Sequence, residues 1–329
     1  MTAKFPFIDV VISPDGEEKL LEYLGQINKG KSVIDVNFNN EFSYEETLVM
    51  GPSHGSHAYV TVVKGCDSFC SYCIVPYVRG RERSRAIKEI KTDVKGLVKK
   101  GFSSVTLLGQ NIARFGKDNN EDLPSLLNEI SQVEGLKRLS FLTSHPKDFS
   151  KKIIKCFEDL PNLCPMLHLP AQHGSNKILK AMNRGYTREQ YLDIIGELRS
   201  SKVWDRLSLT TDIIIGFPTE NDDDFKDLMD LLERAYFDNS YSFIYSPRPK
   251  TKAVELFGDK EDKINRPLFT KRLLTYQGRQ KELALEKNKR LEGVILEVLV
   301  EGFSQKDHNK LTGRTSSGKV VNFVGDKNI

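Results

Sequence analysis

Residues 58–73 read AYVTVVKGCDSFCSYC and place three cysteines, Cys66, Cys70 and Cys73, directly after a run typical of a buried strand. The spacing is C-x3-C-x2-C, so the three thiolates can converge on one inorganic centre. Three cysteines without a fourth beside them favour an iron–sulfur cluster that leaves one iron open. Two alternatives remain open. One is a structural zinc site, which usually needs four protein ligands, and the other is three buried thiols without a metal.

From residue 58 onward, short apolar strands alternate with helical patterns, which predicts a parallel sheet with crossover helices. The strands are almost continuously apolar or β-branched, as expected when both faces of the sheet are buried. Six such units predict an α/β fold, an incomplete (β/α)6 barrel, with functional residues gathered where strands end. The predicted strands are 58–63, 104–108, 138–142, 166–169, 207–215 and 240–245. The predicted helices are 87–100, 123–133, 150–160, 176–182, 188–200 and 222–235.

The two ends of the chain have different patterns from the alternating core. Residues 5–12 are mostly apolar and predict a strand, and residues 17–27 carry leucines at helical spacing. Residues 264–290 predict a long charged helix, after which the pattern changes to β. The strands predicted there are 294–300, 311–315 and 320–323.

Composition indicates an ordinary globular protein. The chain has 329 residues, of which 39% are hydrophobic and 29% are charged, enough for one large domain with small additions. No apolar run approaches the ~20 residues of a membrane span, and residues 1–12 lack the pattern of a signal peptide. Five cysteines, three of them clustered, favour metal chemistry over a disulfide framework. We therefore expect a cytoplasmic protein that has no membrane contact.

The charge distribution says more than the net charge of +4. Residues 1–51 are acidic, with nine Asp and Glu against four Lys, so the basic excess lies further along. Arg79, Arg81, Arg83 and Arg85 follow the cysteines closely. Such local basicity is expected of a protein that binds a phosphate-rich partner, although a solvated charged loop explains the run equally well.

The segment after the cysteines identifies a family. C-x3-C-x2-C with an aromatic residue, Tyr72, before the third cysteine resembles the radical S-adenosylmethionine superfamily. The continuation IVPYVRGRERSR at 74–85 is similar to the MiaB-type methylthiotransferases. The resemblance implies a [4Fe-4S] cluster on Cys66, Cys70 and Cys73. Its open iron would chelate S-adenosylmethionine, whose reductive cleavage gives a 5′-deoxyadenosyl radical.

Short motifs at the ends of the predicted strands match the family in order. Besides Tyr72, the resemblance assigns seven of their residues to the cofactor site or its edge, with no catalytic residue identified. These are Gly109, Gln110 and Asn111, then Thr143 and Ser144 of a T-S-H-P motif, then Gln172, and finally Asp212. A plain turn with amide caps is the alternative for 109–111. Three positions depart from the family pattern: His173, and Thr219 and Lys250 where the family has glycine.

The family places a methylthio group on C2 of N(6)-dimethylallyladenosine next to the tRNA anticodon, and the resemblance implies that reaction here. Alternative substrates are threonylcarbamoyladenosine in tRNA and a ribosomal protein, and a further alternative is a non-catalytic tRNA-binding remnant. The motifs I-V-P-Y-x-R-G, L-L-G-Q-N and Y-S-P-R-P favour the dimethylallyl substrate. The implied partners are the tRNA anticodon loop and an electron donor such as flavodoxin or ferredoxin, and we expect a monomer. Arg79, Arg81, Arg83, Arg85 and Arg314 would contact the RNA.

The resemblance also predicts how the chain is divided. Residues 1–51 would be a remnant of the N-terminal methylthiotransferase domain, 52–286 the radical core, and 287–329 a partial TRAM domain, a small RNA-binding β-barrel. The family holds a second [4Fe-4S] cluster on three N-terminal cysteines, whereas residues 1–65 contain none. We therefore expect this chain to cleave S-adenosylmethionine but to transfer little or no sulfur. Cys156 and Cys164 are interpreted as small buried hydrophobic residues rather than a second metal site.

Overall fold

The computed structural model describes residues 5–16, 19–27, 30, 32–37, 48–49, 56–259 and 265–325. In chain order the strands are β1 Val10–Ile12, β2 Val33–Asp35, β3 Leu48–Val49, β4 His57–Thr61, β5 Val63–Lys64, β6 Arg83–Ser84, β7 Ser104–Leu108, β8 Arg138–Phe141, β9 Met166–His168, β10 Ser208–Ile215, β11 Asn239–Ile244, β12 Val298–Phe303, β13 Leu311–Thr315 and β14 Val320–Phe323. The helices are α1 Leu20–Ile27, α2 Val75–Arg79, α3 Ile87–Lys99, α4 Leu123–Ser131, α5 Lys151–Asp159, α6 Asn176–Ala181, α7 Arg188–Ser200, α8 Asp222–Ala235, α9 Lys252–Phe257 and α10 Arg266–Lys289. Within this part of the chain, no helix has the length and apolar character needed to cross a bilayer.

Six parallel strands form the barrel wall, in the order in which they occur in the chain. β4 pairs with β7 and β7 with β8, while β9 pairs with β10 and β10 with β11, all in parallel. A parallel bridge between Leu139 and Leu163 joins the two groups of three. Among the described residues β11 pairs only with β10, and the free edge of β4 pairs with the short antiparallel β3. The predicted incomplete (β/α)6 barrel is confirmed.

The core strands and helices agree with their predicted bounds to within two residues. The reason is that each element has one dominant burial pattern. In α3, Ile90, Val94 and Leu97 form a buried stripe at helical spacing. The starts of α7 and α8 are set by capping boxes, in which the side chains of Thr187 and Asn221 each accept a backbone N–H from three residues further on.

The N-terminal part is a small unit beside the barrel. β1 and β2 pair in parallel, and α1 lies between them in the chain, so these three elements form a β–α–β arrangement. The strand predicted for residues 5–12 is shorter in the structure, because only Val10–Ile12 find a partner strand. Asp15 holds this unit to the barrel through an ion pair of 3.0 Å with Arg83.

The C-terminal strands β12, β13 and β14 form an antiparallel meander. The strand predicted at 294–300 begins later, at Val298, since Ile295 is almost fully exposed. The meander contacts the barrel where strands begin: the Arg138 guanidinium, at the start of β8, donates to the Arg314 carbonyl at 2.8 Å. Lys319 donates to Asp238, directly before β11, at 3.0 Å. The meander therefore lies at the opposite end of the barrel from the carboxyl ends of the strands.

Candidate cofactor and cluster site

The loops at the carboxyl ends of the barrel strands meet around a cavity of about 340 Å³. It is lined by the three clustered cysteines and by all eight residues that the sequence assigned to the cofactor. The lining residues are Cys66, Ser68, Cys70, Tyr72, Cys73, Val75, Gly109, Gln110, Asn111, Thr143, Ser144, His145, Pro170, Gln172, Arg184 and Asp212. Parallel pairing explains this convergence, because the carboxyl ends of parallel strands lie at one edge of the sheet.

The cysteine loop is shaped by Gly65 and anchored by Ser71. Gly65 has φ +75°, and a Cβ there would lie 2.0 Å from the Arg81 carbonyl oxygen, so only glycine fits. The Ser71 hydroxyl donates to the Ala181 carbonyl at 2.8 Å, and the Ala253 N–H donates to the Ser71 carbonyl at 2.7 Å. The loop is thus held at both α6 and α9.

The three thiols are placed where they could hold a multi-iron cluster. Cys66 and Cys70 are buried and Cys73 is half-buried, and all three face one cavity. Yet within the described ranges no three His, Cys, Asp or Glu side chains converge as ligands of one metal ion. A cluster binds each cysteine to a different iron, so its ligands need not share one metal ion. Burial raises the pKa of Cys66 and of Cys73, and iron ligation would hold both as thiolates.

Three buried polar atoms with no protein partner belong to residues that line the cavity. They are Gln110 Oε1, Ser144 Oγ and His145 Nε2. Buried polar groups are normally hydrogen-bonded, so unpaired atoms that share one cavity indicate a polar ligand. S-adenosylmethionine carries amino, carboxylate, ribose and adenine groups that could pair with them. The residues present therefore fit the cofactor that the sequence implies.

Two strained backbone positions lie at the same cavity. Thr143 has φ +67° and Gln172 has φ +68°, and neither is glycine. Such conformations cost on the order of 1–3 kcal/mol each and persist where the surrounding structure enforces them. The Ile112 N–H donates to the Thr143 carbonyl and the Gln172 N–H to the Asp212 carbonyl, so neighbouring loops hold both turns.

Asn111 connects two of the loops. Its Oδ1 accepts from the His145 N–H at 3.0 Å, and its Nδ2 donates to Asp148 at 2.9 Å. Asn111 is 1% exposed, so its amide is used within the protein. This geometry makes Asn111 a positioning residue for the cavity wall.

Arg184 lines the cavity and was missed by the sequence analysis. Its guanidinium is buried and donates to Cys70 Sγ at 3.3 Å, to the Pro170 carbonyl at 2.7 Å and to the Tyr72 hydroxyl at 3.4 Å. A fixed positive charge here would stabilise thiolate ligands and an anionic cofactor group. In the sequence Arg184 is one of many arginines, and its only signal is the short loop Asn183-Arg184-Gly185 after a helix.

The three departures from the family pattern are accommodated locally. Thr219 and Lys250 stand where glycine was expected, and both adopt positive φ, +74° and +66°. The His173 ring lies 3.3 Å from the buried carboxylate of Glu220, which also pairs with Arg272 at 2.6 Å. The turn at Thr219 therefore keeps the positive φ that glycine would adopt. His173 has a buried carboxylate, that of Glu220, as its partner.

The five predicted RNA-binding arginines differ in exposure. Arg79 and Arg81 are exposed near the cysteine loop, and Arg81 lies over the Phe69 ring. Arg83 pairs with Asp15, and Arg85 is 3% exposed and pairs with Asp93 at 2.6 Å. Because its side chain is buried, Arg85 is not available to contact RNA.

Arg314 lies far from the cysteine loop. It is half exposed in the C-terminal meander, at the other end of the barrel, and pairs with Glu301 at 3.0 Å. Cys156 and Cys164 are buried outside the cavity, and burial raises the pKa of each to about 11. Their burial agrees with the interpretation that they are small hydrophobic residues.

Comparison with known proteins agrees with this geometry. The family model of the Radical SAM superfamily matches residues 60–232. The tRNA-2-methylthio-N(6)-dimethylallyladenosine synthase of Thermoanaerobacter sp. (strain X514) is 44% identical over 329 residues, which is 99% of this chain and 68% of the relative. The enzyme of the same name from Clostridium perfringens (strain SM101 / Type A) is 43% identical over 328 residues, 99% of this chain and 72% of the relative.

A solved structure shares the fold. The radical S-adenosylmethionine methyltransferase TsrM from Kitasatospora setae, with tryptophan substrate and a SAM analog bound, superposes with a TM-score of 0.54. The match covers 70% of this chain and 50% of TsrM at 14% identity. At that identity the likeness extends to the fold alone.

The cysteine assignment predicts a definite metal content. Anaerobic reconstitution should give about four irons and four sulfides per chain. Alanine at Cys66, Cys70 or Cys73 should abolish iron binding, whereas alanine at the buried Cys156 or Cys164 should leave it unchanged. Iron and sulfide assays with the visible spectrum measure this. Zinc in place of iron under these conditions would show that the assignment is wrong.

The burial of His145 predicts a pH effect on stability. Burial, reinforced by Arg184, lowers the pKa of His145 to about 3, against roughly 6.5 in an unfolded chain. Below about pH 6.5 the unfolded state binds a proton that folded His145 does not, so stability falls as the pH decreases. In urea unfolding of the metal-free chain between about pH 7 and 5, His145→Asn should show a shallower pH dependence than the parent. His308→Asn, at an exposed histidine, is the control, and equal slopes for both variants would contradict the assignment.

Proposed function

This chain belongs to the tRNA-2-methylthio-N(6)-dimethylallyladenosine synthase family of the radical SAM superfamily, and we propose that it adds a methylthio group to C2 of N(6)-dimethylallyladenosine beside a tRNA anticodon. It is accordingly a radical SAM transferase. The observation that carries the proposal is the cavity at the strand ends. There, three cluster-spaced thiols line one cavity together with three residues that each carry an unpaired buried polar atom.

The chain's own residues bind and orient the cofactors. Cys66, Cys70 and Cys73 would hold the [4Fe-4S] cluster, and S-adenosylmethionine bound with it would supply the radical chemistry. Gln110, Ser144 and His145 would pair with polar groups of the cofactor. His145 stays neutral at physiological pH because burial lowers its pKa to about 3.

Two features of the cavity keep this arrangement rigid. Arg184 holds Cys70 and Tyr72 in place while it adds positive charge beside the cluster. Asn111 joins the loops after β7 and β8. A rigid, mostly buried site excludes water and holds the cofactor in one geometry, which is the protein's part in radical chemistry.

The RNA would approach the side of the barrel that carries the cysteine loop. Exposed Arg79 and Arg81 lie there, with Phe69 and Tyr77 in an edge-to-face contact at 6.0 Å. A shallow groove beside Phe69 adds further exposed cations. The lysines that line it are Lys177, Lys180 and Lys252. Lysine and arginine pair with phosphates, and exposed aromatic rings stack on unpaired bases, so this surface suits an anticodon loop.

The remaining assignments follow the same family expectation. We propose a cytoplasmic monomer that receives electrons from a flavodoxin or ferredoxin. We also propose the division into 1–51, 52–286 and 287–329, although the last boundary falls inside α10, Arg266–Lys289. Neither threonylcarbamoyladenosine nor a ribosomal protein is named in the relatives reported above, whereas the dimethylallyl nucleoside is.

A single anaerobic reaction tests the function. The reconstituted, reduced protein should convert S-adenosylmethionine to 5′-deoxyadenosine. By itself it should place little or no methylthio group on tRNA that carries N(6)-dimethylallyladenosine, because residues 1–65 contain no cysteine for the family's second cluster. Chromatography of the small molecules and of the tRNA digest measures both products. tRNA without the dimethylallyl group is the control. If a chain with a full cluster forms neither product, the proposal is contradicted and a tRNA-binding role is favoured.

The basic surface predicts salt-dependent RNA binding. Replacing Arg79 and Arg81 with glutamine should weaken tRNA binding and lower the slope of log K against log salt by about 1 to 2, because each phosphate contact releases counterions. Glutamine at Lys151 and Lys226, two exposed cations on the outer helices, is the matched control and should leave the slope unchanged. Equal slopes for both double variants would indicate that the arginines at 79–85 belong to a solvated loop and do not contact RNA phosphates.

A further inference from the structure

The inner face of the barrel carries two aromatic side chains that the cofactor site does not use. In the register of β10 with β11, Asp212 lies opposite Tyr241 and Ile214 lies opposite Phe243, so these four residues share one face. The intervening serines, Ser240 and Ser242, belong to the other face. There, α10 holds them through hydrogen bonds from Tyr276 and Gln277 at 2.9 and 3.1 Å.

This face is uncovered. Tyr241 is 53% exposed and Phe243 is 58% exposed, although both lie on a barrel strand. Tyr241 has one ring neighbour on the same face, His168, at 6.1 Å between ring centroids. His168 in turn contacts Asp212 at 3.3 Å. Exposed neighbouring aromatic residues inside an enzyme barrel indicate a binding surface rather than a core.

The aromatic face adjoins the cofactor cavity. Asp212 belongs to both, since it lines the cavity and lies opposite Tyr241 in the sheet. A planar group resting on Tyr241 and Phe243 would therefore lie next to the cofactor. In a reaction on a nucleobase that is drawn out of its stack, the base must reach this position.

We infer that Tyr241 and Phe243 form the platform on which the extruded, N6-prenylated adenine of the RNA stacks beside the cofactor. This inference rests on the proposed function. Aromatic side chains stack on bases and also bury an apolar dimethylallyl group. The same two residues therefore select the substrate.

The residue types on this inner face of β10 and β11 favour binding of an adenine whose N6 substituent is uncharged. None of the residues on it in β10 and β11 is Lys or Arg. They are Thr210, Asp212, Ile214, Asn239, Tyr241 and Phe243. A threonylcarbamoyl group carries a carboxylate, which would meet Asp212 here without a cation from these strands. A dimethylallyl group meets aromatic and aliphatic surface instead.

RNA hairpins test the platform independently of catalysis. Three hairpins would carry dimethylallyladenosine, adenosine or an abasic residue at the target position, and fluorescence anisotropy with the reconstituted protein would give each Kd. Tyr241→Ala and Phe243→Ala should each weaken binding of the dimethylallyl hairpin about tenfold. The abasic hairpin should bind equally to parent and variants, because it has no base to stack. It also reports that the variants are folded.

Two further variants sharpen the result. Tyr241→Phe keeps the ring and should retain parental affinity. Leu274→Ala removes an exposed apolar side chain of α10, the helix that packs on the other face of β11, and should change nothing. If the alanine variants weaken all three hairpins equally, or none, the platform is overturned. Formation of 5′-deoxyadenosine with unchanged hairpin affinities would reject the platform alone, whereas base-dependent loss of binding without 5′-deoxyadenosine would reject the proposed reaction alone.

Discussion

Two backbone hydrogen bonds at Leu139 join the halves of the barrel. The Leu139 N–H donates to the Asn162 carbonyl at 2.8 Å, and the Cys164 N–H donates to the Leu139 carbonyl at 2.7 Å. Through them the three strands β4, β7 and β8 continue in parallel into β9, β10 and β11. Because all six strands run the same way, their carboxyl ends form one rim, and loops far apart in sequence surround one cavity.

The rim is built at a conformational cost. Thr143 and Gln172 hold positive φ at the cavity, and Thr219 and Lys250 do so in nearby turns. Loops of this kind keep their shape only on a rigid support, which the packed strands and outer helices provide. At the cavity, strained turns and residues with unpaired polar atoms occur together, as expected where a surface is shaped for a ligand.

Charge is distributed differently at the two ends of the barrel. The cavity end combines the buried Arg184 with exposed arginines and lysines around the cysteine loop, which suits an anionic cofactor and an RNA. The opposite end joins the C-terminal meander through Arg138 and Lys319, whose charges are used in contacts within the protein. The cavity end therefore has the charge that anionic partners need, while the other end holds the additional strands.

The local sequence determined the cysteine loop, the order of strands and helices, and the motifs at the strand ends, because hydrophobic period and chain order encode them. It could not identify Arg184, which meets Cys70 across 114 residues of chain. Nor could it separate exposed Arg81 from buried Arg85, four residues apart, or show that Tyr241 and Phe243 lie uncovered beside Asp212. These properties depend on which distant elements pack together, and periodicity within one element carries no information about its neighbours in space.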